Sequence, residues 1–205
     1  MGIGEKLYRL PHWGPLLLET TIEQEFVDIL LEKGNESRKK NLDATKSLAG
    51  MIDNEYFYED YESWFAPKFN TYINLYKDAL VTKWMPGYEM NPSWTLARLW
   101  INYQKAYEYN PFHDHGGDLS FVIYLQVPDE IKEEFKRDQG KHNNTGPGTI
   151  IFDIGPKSPF SISSFAKFPQ EGDLLIFPAW LPHFVHAFKS DVERISVSGN
   201  ILLTP

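Results

Sequence analysis

The pattern of apolar and polar positions divides the chain into a helical first part and a strand-rich second part. One set of apolar residues recurs at the 3.6-residue spacing of an amphipathic helix and comprises Ile22, Phe26, Ile29 and Leu30. Thr20 stands three residues before Glu23, which is the spacing of a capping box, and Gly34 offers a C-terminal stop. The pattern therefore predicts a first helix that starts after this threonine and ends at this glycine.

A second helix is predicted by another apolar set at the same spacing, which comprises Phe69, Ile73, Tyr76 and Leu80. We expect it to run from near Pro67 to about Lys83, with the proline in the first turn, where a missing N–H is tolerated. Residues 35–60 between the two helices are polar and predict a long loop over a pocket. Residues 7–18 contain two prolines and a glycine, which predicts a broken edge strand before the first helix.

Beyond Pro86-Gly87 the pattern changes to the two-residue alternation of β-strands. In residues 95–103, one face would carry Arg98, Trp100 and Asn102, and the other Ala97, Leu99 and Ile101. Further strands are predicted at residues 119–127, 149–154, 174–177, 180–186 and 194–203. Residues 129–148 are charged and then rich in Gly and Asn, so we expect a loop there.

Two helices followed by about seven short strands indicate an α+β fold whose larger part is a β-sandwich or a small barrel. No internal repeat or linker marks a domain boundary, so we expect one domain over residues 1–205. Residues 1–90 would supply mainly helical support and loops, and residues 91–205 would form the strand core.

Composition narrows the classes of function. A net charge of −8 argues against a nucleic-acid surface, because binding to phosphates requires clustered Lys and Arg. The sequence contains no apolar run of the ~20 residues that a membrane span requires, and its first residues lack the apolar core of a signal peptide. The chain has no Cys, which excludes disulfides and thiolate chemistry. We therefore expect a cytoplasmic protein that binds neither nucleic acid nor membrane; its oligomeric state stays open.

Candidate chemistry is concentrated in three histidines. His113 and His115 are two residues apart, and on an extended backbone this spacing puts both imidazoles on one face, within reach of one metal ion. A third candidate, His183, follows Pro182 and the apolar run 174–177. Neutral imidazoles suit Fe, Zn, Cu or Ni, so the ligand type alone does not identify the metal. Histidine pairs also occur as ordinary packed or surface residues. His12 and His142 have no potential metal ligand beside them in sequence, so we expect them to be surface or packing residues.

Three blocks of the second half carry a family resemblance: HDHGGDLSFVIYLQVP, EGDLLIFPAWLPHFVH and ERISVSGNI. Their order and spacing over residues 98–203 resemble the Fe(II)- and 2-oxoglutarate-dependent oxygenases, and more narrowly a subfamily of bacteria and bacteriophages. The resemblance implies a double-stranded β-helix, which is a jelly-roll or cupin-like barrel, supported by N-terminal helices. It also implies Fe(II) and 2-oxoglutarate as cofactors and the hydroxylation of a small-molecule, protein or peptide substrate. A viral member would work in the host cytoplasm.

The resemblance also implies roles for individual residues. His113 and His183 would occupy the two histidine positions of the facial triad. Arg194 would pair with the far carboxylate of 2-oxoglutarate, because a planar guanidinium offers bidentate geometry. Tyr124 and Ser196 would donate hydrogen bonds to the same carboxylate. Asn200 matches a recurrent Asn of the subfamily, without an assigned role.

His115 stands where the wider superfamily has Asp or Glu as its second ligand. Three explanations are open: a centre of three histidines, a carboxylate ligand from Asp114 or Asp118, or a barrel that binds metal without oxygenase turnover. Strand alternation favours His115, because it points Asp114 the other way. Whether Asp118 or His186 also contacts the metal stays open.

Two other kinds of protein fit the same residues. A cupin-type enzyme would hold a metal through three histidines and need no oxoacid, and a catalytically silent barrel would only bind the metal. In either case Arg194 could form a surface ion pair with Glu193, and Tyr124 could be an ordinary core residue. The positions of Arg194 and Tyr124 relative to the histidines therefore distinguish these alternatives from an oxygenase.

Overall fold

The computed structural model describes residues 14–90, 93–138, 145–156 and 158–204. Its helices are α1 (Gln24–Lys40), α2 (Tyr61–Asp78) and α3 (Asp129–Asp138). Its strands are β1 (Leu18–Thr21), β2 (Glu55–Phe57), β3 (Trp94–Gln104), β4 (Asn110–His113), β5 (Leu119–Gln126), β6 (Ile150–Asp153), β7 (Ser164–Lys167), β8 (Asp173–Pro178), β9 (His183–Val185) and β10 (Arg194–Leu203). His12, His142, the start of the expected edge strand and residues 139–144 of the expected loop 129–148 lie outside these ranges.

The strands form two antiparallel sheets. Six strands lie in the order β1-β8-β5-β10-β3-β2, and four lie in the order β4-β9-β6-β7. The mixed α+β class is therefore confirmed. No helix of the described ranges has both the length and the apolar character that crossing a membrane requires.

The six-stranded sheet buries apolar side chains on both faces, so its strands β5 and β8 are apolar along most of their length. On one face, Leu99 and Ile101 of β3 belong to a core that also contains Phe65 and Phe69 of α2. On the other face, a second core joins residues of β5 and β8 to residues of the four-stranded sheet; it includes Val122, Tyr124, Phe177, Phe152 and Val185. The candidate histidines and Arg194 face the space between the two sheets.

The expected start and end of the first helix were wrong. Thr20 and Thr21 pair with β8 as part of β1, and the helix starts at Gln24 without a side-chain cap. It passes through Gly34 and ends at Lys40, where Asn41 adopts the left-handed conformation. Gly34 is instead a contact glycine, because a Cβ there would lie 2.3 Å from Cδ1 of Ile101. Residues 35–40 of the expected loop are therefore helical.

The second helix starts earlier than expected. It begins at Tyr61, so Pro67 lies in its second turn, and a six-residue π-helical segment continues it to Trp84. The additional first turn buries Phe65, whose ring stacks on Phe69 and on Phe121 of β5. Packing against the sheet thus outweighs the cost of an internal proline.

The segment 129–148 was wrongly expected to be a loop throughout, because its first ten residues form α3. This helix buries only Ile131 and Glu134. The Glu134 carboxylate accepts hydrogen bonds from the backbone N–H groups of Lys189 and Ser190 and from the Ser190 hydroxyl. Apart from Glu134, the helix packs through Ile131 and through Phe135, which stacks on Phe168, and two apolar residues are too few to predict a helix from periodicity.

Candidate metal centre

Three histidines from two adjacent strands form one cluster in the space between the sheets. His113 ends β4 and lies opposite His183 at the start of β9, and His115 follows in the turn after β4. One ring nitrogen from each histidine lies within 4.8 Å of the others. The ring centroids are 4.4 to 5.0 Å apart. This arrangement can hold one metal ion on a single face and leave other coordination positions open.

Backbone carbonyls orient two of the rings. His113 Nδ1 lies 2.7 Å from the carbonyl oxygen of Pro111, and His183 Nδ1 lies 3.0 Å from that of Leu181. Because a carbonyl can only accept a hydrogen bond, Nδ1 carries the proton in both rings. The Nε2 lone pairs are therefore free to bind a metal. The backbone N–H of His115 donates to the carbonyl of Ala179 at 2.9 Å, which fixes the third ligand position.

Burial keeps His115 and His183 uncharged. Desolvation lowers the pKa of His115 to about 3, and the neighbouring His183 and His113 lower it further. Desolvation, followed by the proximity of His113, lowers the pKa of His183 to about 4. Both imidazoles are therefore neutral at pH 7, which is the form that binds metal ions.

The alternative metal ligands, Asp118, Asp114 and His186, lie outside the cluster of three histidines. The exposed Asp118 accepts a hydrogen bond from the backbone N–H of Leu203 through Oδ2 at 2.8 Å, which holds its carboxylate at the end of β10. Asp114 is exposed at the rim of the cavity. The His186 ring packs edge-on to Phe184, with centroids 5.2 Å apart. The group of potential ligands found within the described ranges therefore contains His113, His115 and His183 and no carboxylate.

A cavity of about 260 Å³ extends from the histidines to Arg194. The guanidinium is 3% exposed. Its Nη1 donates to the Gly148 carbonyl at 2.7 Å, its Nη2 donates to Oε1 of Gln104, and its Nε has no partner. No ion pair to a carboxylate of the described residues accompanies these bonds, and Glu193 pairs with Arg38 instead. The alternative in which Arg194 forms a surface ion pair with Glu193 is therefore wrong.

Tyr124 and Ser196 complete this end of the cavity and lie directly opposite each other on β5 and β10. The Tyr124 hydroxyl is buried without a partner, and burial raises its pKa to about 12. Its ring centroid lies 5.4 Å from the Arg194 guanidinium. Ser196 Oγ accepts a hydrogen bond from Asn102 Nδ2 at 3.3 Å, so its own proton is free to be donated. Asn200 also lines the cavity and accepts a hydrogen bond from Ser120.

The buried polar side-chain atoms that lack a partner all belong to this cavity, as far as the described residues go. They are Glu55 Oε2, Asn102 Oδ1, Tyr124 Oη and Arg194 Nε. Because buried polar atoms are almost always hydrogen-bonded, such a concentration marks a ligand site. Sequence reasoning missed Glu55, which fell in an expected loop, and Gln104, which lies one residue beyond the expected end of β3. The polar face of β3 continues to Gln104, which was the available signal.

Comparison with known families identifies the chain. Residues 98–200, half of the sequence, match the model of the family described as "Putative 2OG-Fe(II) oxygenase". The chain belongs to this family. This 2OG-Fe(II) oxygenase uses Fe(II) and 2-oxoglutarate, as the resemblance of its three sequence blocks implied. No curated protein matches it in sequence.

Solved structures show the same fold at low sequence identity. A prolyl-4-hydroxylase from Pseudomonas putida matches with a TM-score of 0.59 and 12% identity, over 92% of this chain and 93% of the other. The viral collagen prolyl hydroxylase of Paramecium Bursaria Chlorella virus-1, in complex with 2OG, matches with a TM-score of 0.53 and 14% identity, over 90% and 94%. HygX from Streptomyces hygroscopicus, with nickel and 2-oxoglutarate bound, matches with a TM-score of 0.51 and 11% identity, over 93% and 83%.

The donor set fits the cofactors of the family. Three clustered imidazoles, of which His113 and His183 have a free Nε2, suit a divalent transition metal. A buried guanidinium and two hydroxyl donors suit a carboxylate at the other end of the same cavity.

Proposed function

We propose that this oxygenase binds Fe(II) through His113, His115 and His183. The far carboxylate of 2-oxoglutarate binds to Arg194, Tyr124 and Ser196, and the enzyme hydroxylates a C–H bond of a second substrate. The observation that carries this assignment is Arg194, a buried cation without a carboxylate partner among the described residues, in the same cavity as the histidines. An uncompensated buried charge is costly, and an acid bound in the cavity would offset that cost.

The hydrogen-bonding capacity of Arg194 supports this role. A guanidinium has five N–H donors, and the bonds to Gly148 and Gln104 use two of them. The Nε–H and one N–H on each terminal nitrogen stay available to a carboxylate. The Gly148 and Gln104 oxygens also fix the plane of the guanidinium, which prepares it for a bidentate contact.

The two sheets support a finer fold assignment. We infer that they form the double-stranded β-helix, with the ligand strands β4 and β9 in the smaller sheet and β5 and β10 in the larger one. Both ends of the oxoacid would then contact strands, which position side chains more rigidly than loops do. Membership of the bacterial and bacteriophage subfamily stays a prediction.

Once bound, iron and the oxoacid supply the oxidising chemistry, in which O₂ is consumed and 2-oxoglutarate is decarboxylated to succinate while a C–H bond is hydroxylated. The chain binds, orients and desolvates the reactants. The carbonyls of Pro111 and Leu181 hold the imidazole protons on Nδ1. Trp100, Phe121 and Phe177 line the cavity and exclude water, which strengthens the contact between Arg194 and a bound carboxylate.

Because the group of three histidines contains no carboxylate, a metal centre formed by it would have a higher net charge. A divalent ion held by three neutral ligands keeps its full positive charge, whereas a carboxylate would offset part of it. We infer that this higher charge favours an anionic oxoacid. Arg194 and Tyr124 face the same cavity, which favours this function over a cupin-type or silent metal site.

An arginine-to-lysine exchange tests the assignment. In protein loaded with Fe(II) under nitrogen, we expect Arg194→Lys to weaken 2-oxoglutarate by roughly 30- to 150-fold and to leave metal affinity nearly unchanged. The loss corresponds to ~2–3 kcal/mol for one charge-assisted hydrogen bond that a point charge cannot reproduce. Anaerobic calorimetry measures both affinities.

Arg38→Lys is the matched control, because Arg38 makes its two-pronged contact to Glu193 outside the cavity. Its 2-oxoglutarate affinity should equal that of the wild type. Equal oxoacid affinity in Arg194→Lys and the wild type would exclude Arg194 from the oxoacid site.

A further inference from the structure

Glu55 is a buried acid that the oxoacid site does not use. It lies on β2, the edge strand of the six-stranded sheet, is 1% exposed and lines the cavity. Its Oε2 has no hydrogen-bond partner. The residue directly opposite on β3 is Asn102, which is 4% exposed and whose Oδ1 also has no partner. Two unpartnered acceptor oxygens therefore belong to two residues that face each other across adjacent strands and line the same cavity.

These residues belong to a polar row that crosses four strands in register. Glu55 lies opposite Asn102, Asn102 opposite Ser196, and Ser196 opposite Tyr124. Neighbouring strands are ~4.8 Å apart, so the backbone of Glu55 lies roughly 10 Å from that of Ser196. Glu55 therefore faces a different part of the cavity from the oxoacid carboxylate.

The chemistry of the pair selects the kind of group that binds there. Both free atoms are oxygens, so once Glu55 is ionised they accept hydrogen bonds from an N–H donor, whereas an anion such as 2-oxoglutarate would be repelled. Desolvation raises the pKa of Glu55 to about 8, and the nearby carboxylates of Glu108 and Asp43 raise it further. A cation that approached Glu55 would reverse these effects and ionise the carboxyl.

Within the described ranges, the neighbouring residues do not supply that cation. Arg98 also lines the cavity, but it is exposed and donates from Nη1 to the carbonyl of Ser47 at 3.4 Å. Gly50 packs closely against the acid and contributes no side chain, because a Cβ there would lie 2.8 Å from Glu55 Oε1 and 2.6 Å from Asn110 Oδ1. The free oxygens of Glu55 and Asn102 therefore have no hydrogen-bond partner among the described residues.

The volume limits the size of that group. The cavity of about 260 Å³ lies below the roughly 300–1,000 Å³ of pockets that enclose a drug-sized ligand. It must also accommodate the oxoacid, so the remaining space suits a group about as large as one side chain.

We propose that Glu55 and Asn102 bind a cationic nitrogen group of the substrate, an ammonium or a guanidinium. The group belongs to a free amino compound or to a lysine or arginine of a polypeptide. This assignment rests on the proposed function, because it places the group beside the iron and oxoacid sites. The carboxylate pairs with the cation, and the Asn102 carbonyl accepts a second N–H.

Anaerobic calorimetry tests the assignment in protein loaded with Fe(II) and 2-oxoglutarate. The free probes are L-lysine and L-arginine, and the peptide probes are acetyl-Gly-Lys-Gly-amide and acetyl-Gly-Arg-Gly-amide. The neutral counterparts contain norleucine or citrulline. We expect a cationic probe to bind at least tenfold more tightly than its neutral counterpart, and the tighter of the free and peptide forms identifies the source of the group.

Two further readouts are specific to Glu55. Cation binding at pH 7 should release close to one proton, measured in buffers of different ionisation enthalpy, because the carboxyl ionises on pairing. Glu55→Gln should abolish the proton release and weaken the cationic probe by on the order of 30-fold. Glu59→Gln, which removes a surface carboxylate paired with Lys40, should change neither quantity.

The oxoacid titration of the same samples separates the two proposals. Normal 2-oxoglutarate binding without cation preference, or equal cation affinity in the wild type and Glu55→Gln, overturns the role of Glu55 and leaves the oxygenase assignment intact. Failure to bind 2-oxoglutarate overturns the proposed function itself. If Glu55→Gln does not fold, the comparison of cationic and neutral probes on the wild type still decides the question.

Discussion

The histidine cluster shows how single residues acquire a function through their backbone neighbours. The spacing of His113 and His115 predicted a shared face, and the structure brings the two side chains together with His183. The sequence could not show that the carbonyls of Pro111 and Leu181 set the tautomers, because this depends on local backbone geometry. Glu55 could not be predicted either, since its neighbours come from residues 50, 102 and 110.

Replacing His183 should remove the metal. We expect His183→Ala to lose stoichiometric Fe(II), because two imidazoles from β4 and its following turn cannot complete a three-ligand face. Metal analysis after gel filtration measures the stoichiometry. His186→Ala is the control, since His186 lies on the same segment but outside the cluster, and it should retain one ion per chain. Retention of a full equivalent by His183→Ala would show that the third ligand is a different residue.

At the scale of elements, strands were predicted better than helix ends. The two-residue alternation of β3 separated Trp100 and Asn102 in the cavity from Leu99 and Ile101 in the core. The helix ends were set by contacts with distant strands, which no local pattern contains. At Gly34 the sequence indicated a stop, whereas the structure requires a glycine there for close packing against Ile101. The helix α3 was missed for a related reason, because it docks in part through hydrogen bonds from distant backbone groups to the carboxylate of Glu134.

A substitution at Gly34 tests this interpretation. An alanine inside a helix ordinarily stabilises it by ~1 kcal/mol relative to glycine. We expect Gly34→Ala instead to lower the free energy of unfolding by ~1–2 kcal/mol, because its Cβ would overlap Cδ1 of Ile101. Urea denaturation measures the change. In an Ile101→Val background, which lacks Cδ1, the loss should be smaller. A Gly34→Ala protein as stable as the wild type would contradict the need for a glycine at this contact.

At the scale of the whole molecule, the cavity between the two sheets contains two uncharged histidines, His115 and His183, and one uncharged acid, Glu55. These groups make the stability of the metal-free protein depend on pH in opposite directions. His115 and His183 have a lowered pKa in the folded state, so they reduce stability as the pH falls below about 6.5. The pKa of Glu55 is raised in the folded state, so this residue reduces stability as the pH rises above about 4.5.

Glu55→Gln isolates the contribution of the acid. Between pH 4.5 and about 8, the unfolded chain loses the Glu55 proton while the folded chain keeps it. The free energy of unfolding of the wild type should therefore fall relative to that of Glu55→Gln, by at most ~1.4 kcal/mol per pH unit. Urea denaturation of metal-free protein at pH 5 and pH 8 measures this difference. A difference between the wild type and Glu55→Gln that stays constant with pH would contradict the buried, protonated acid.

An anaerobic titration tests most directly whether one cavity binds both cofactors. Wild-type protein receives one equivalent of Fe(II) under nitrogen and then 2-oxoglutarate, while the visible spectrum is recorded. We expect the charge-transfer band of an iron–oxoacid complex to saturate at one oxoacid per chain. The band should be absent in His183→Ala and require a much higher oxoacid concentration in Arg194→Lys. Absence of the band from iron-loaded wild type at millimolar 2-oxoglutarate would contradict the account.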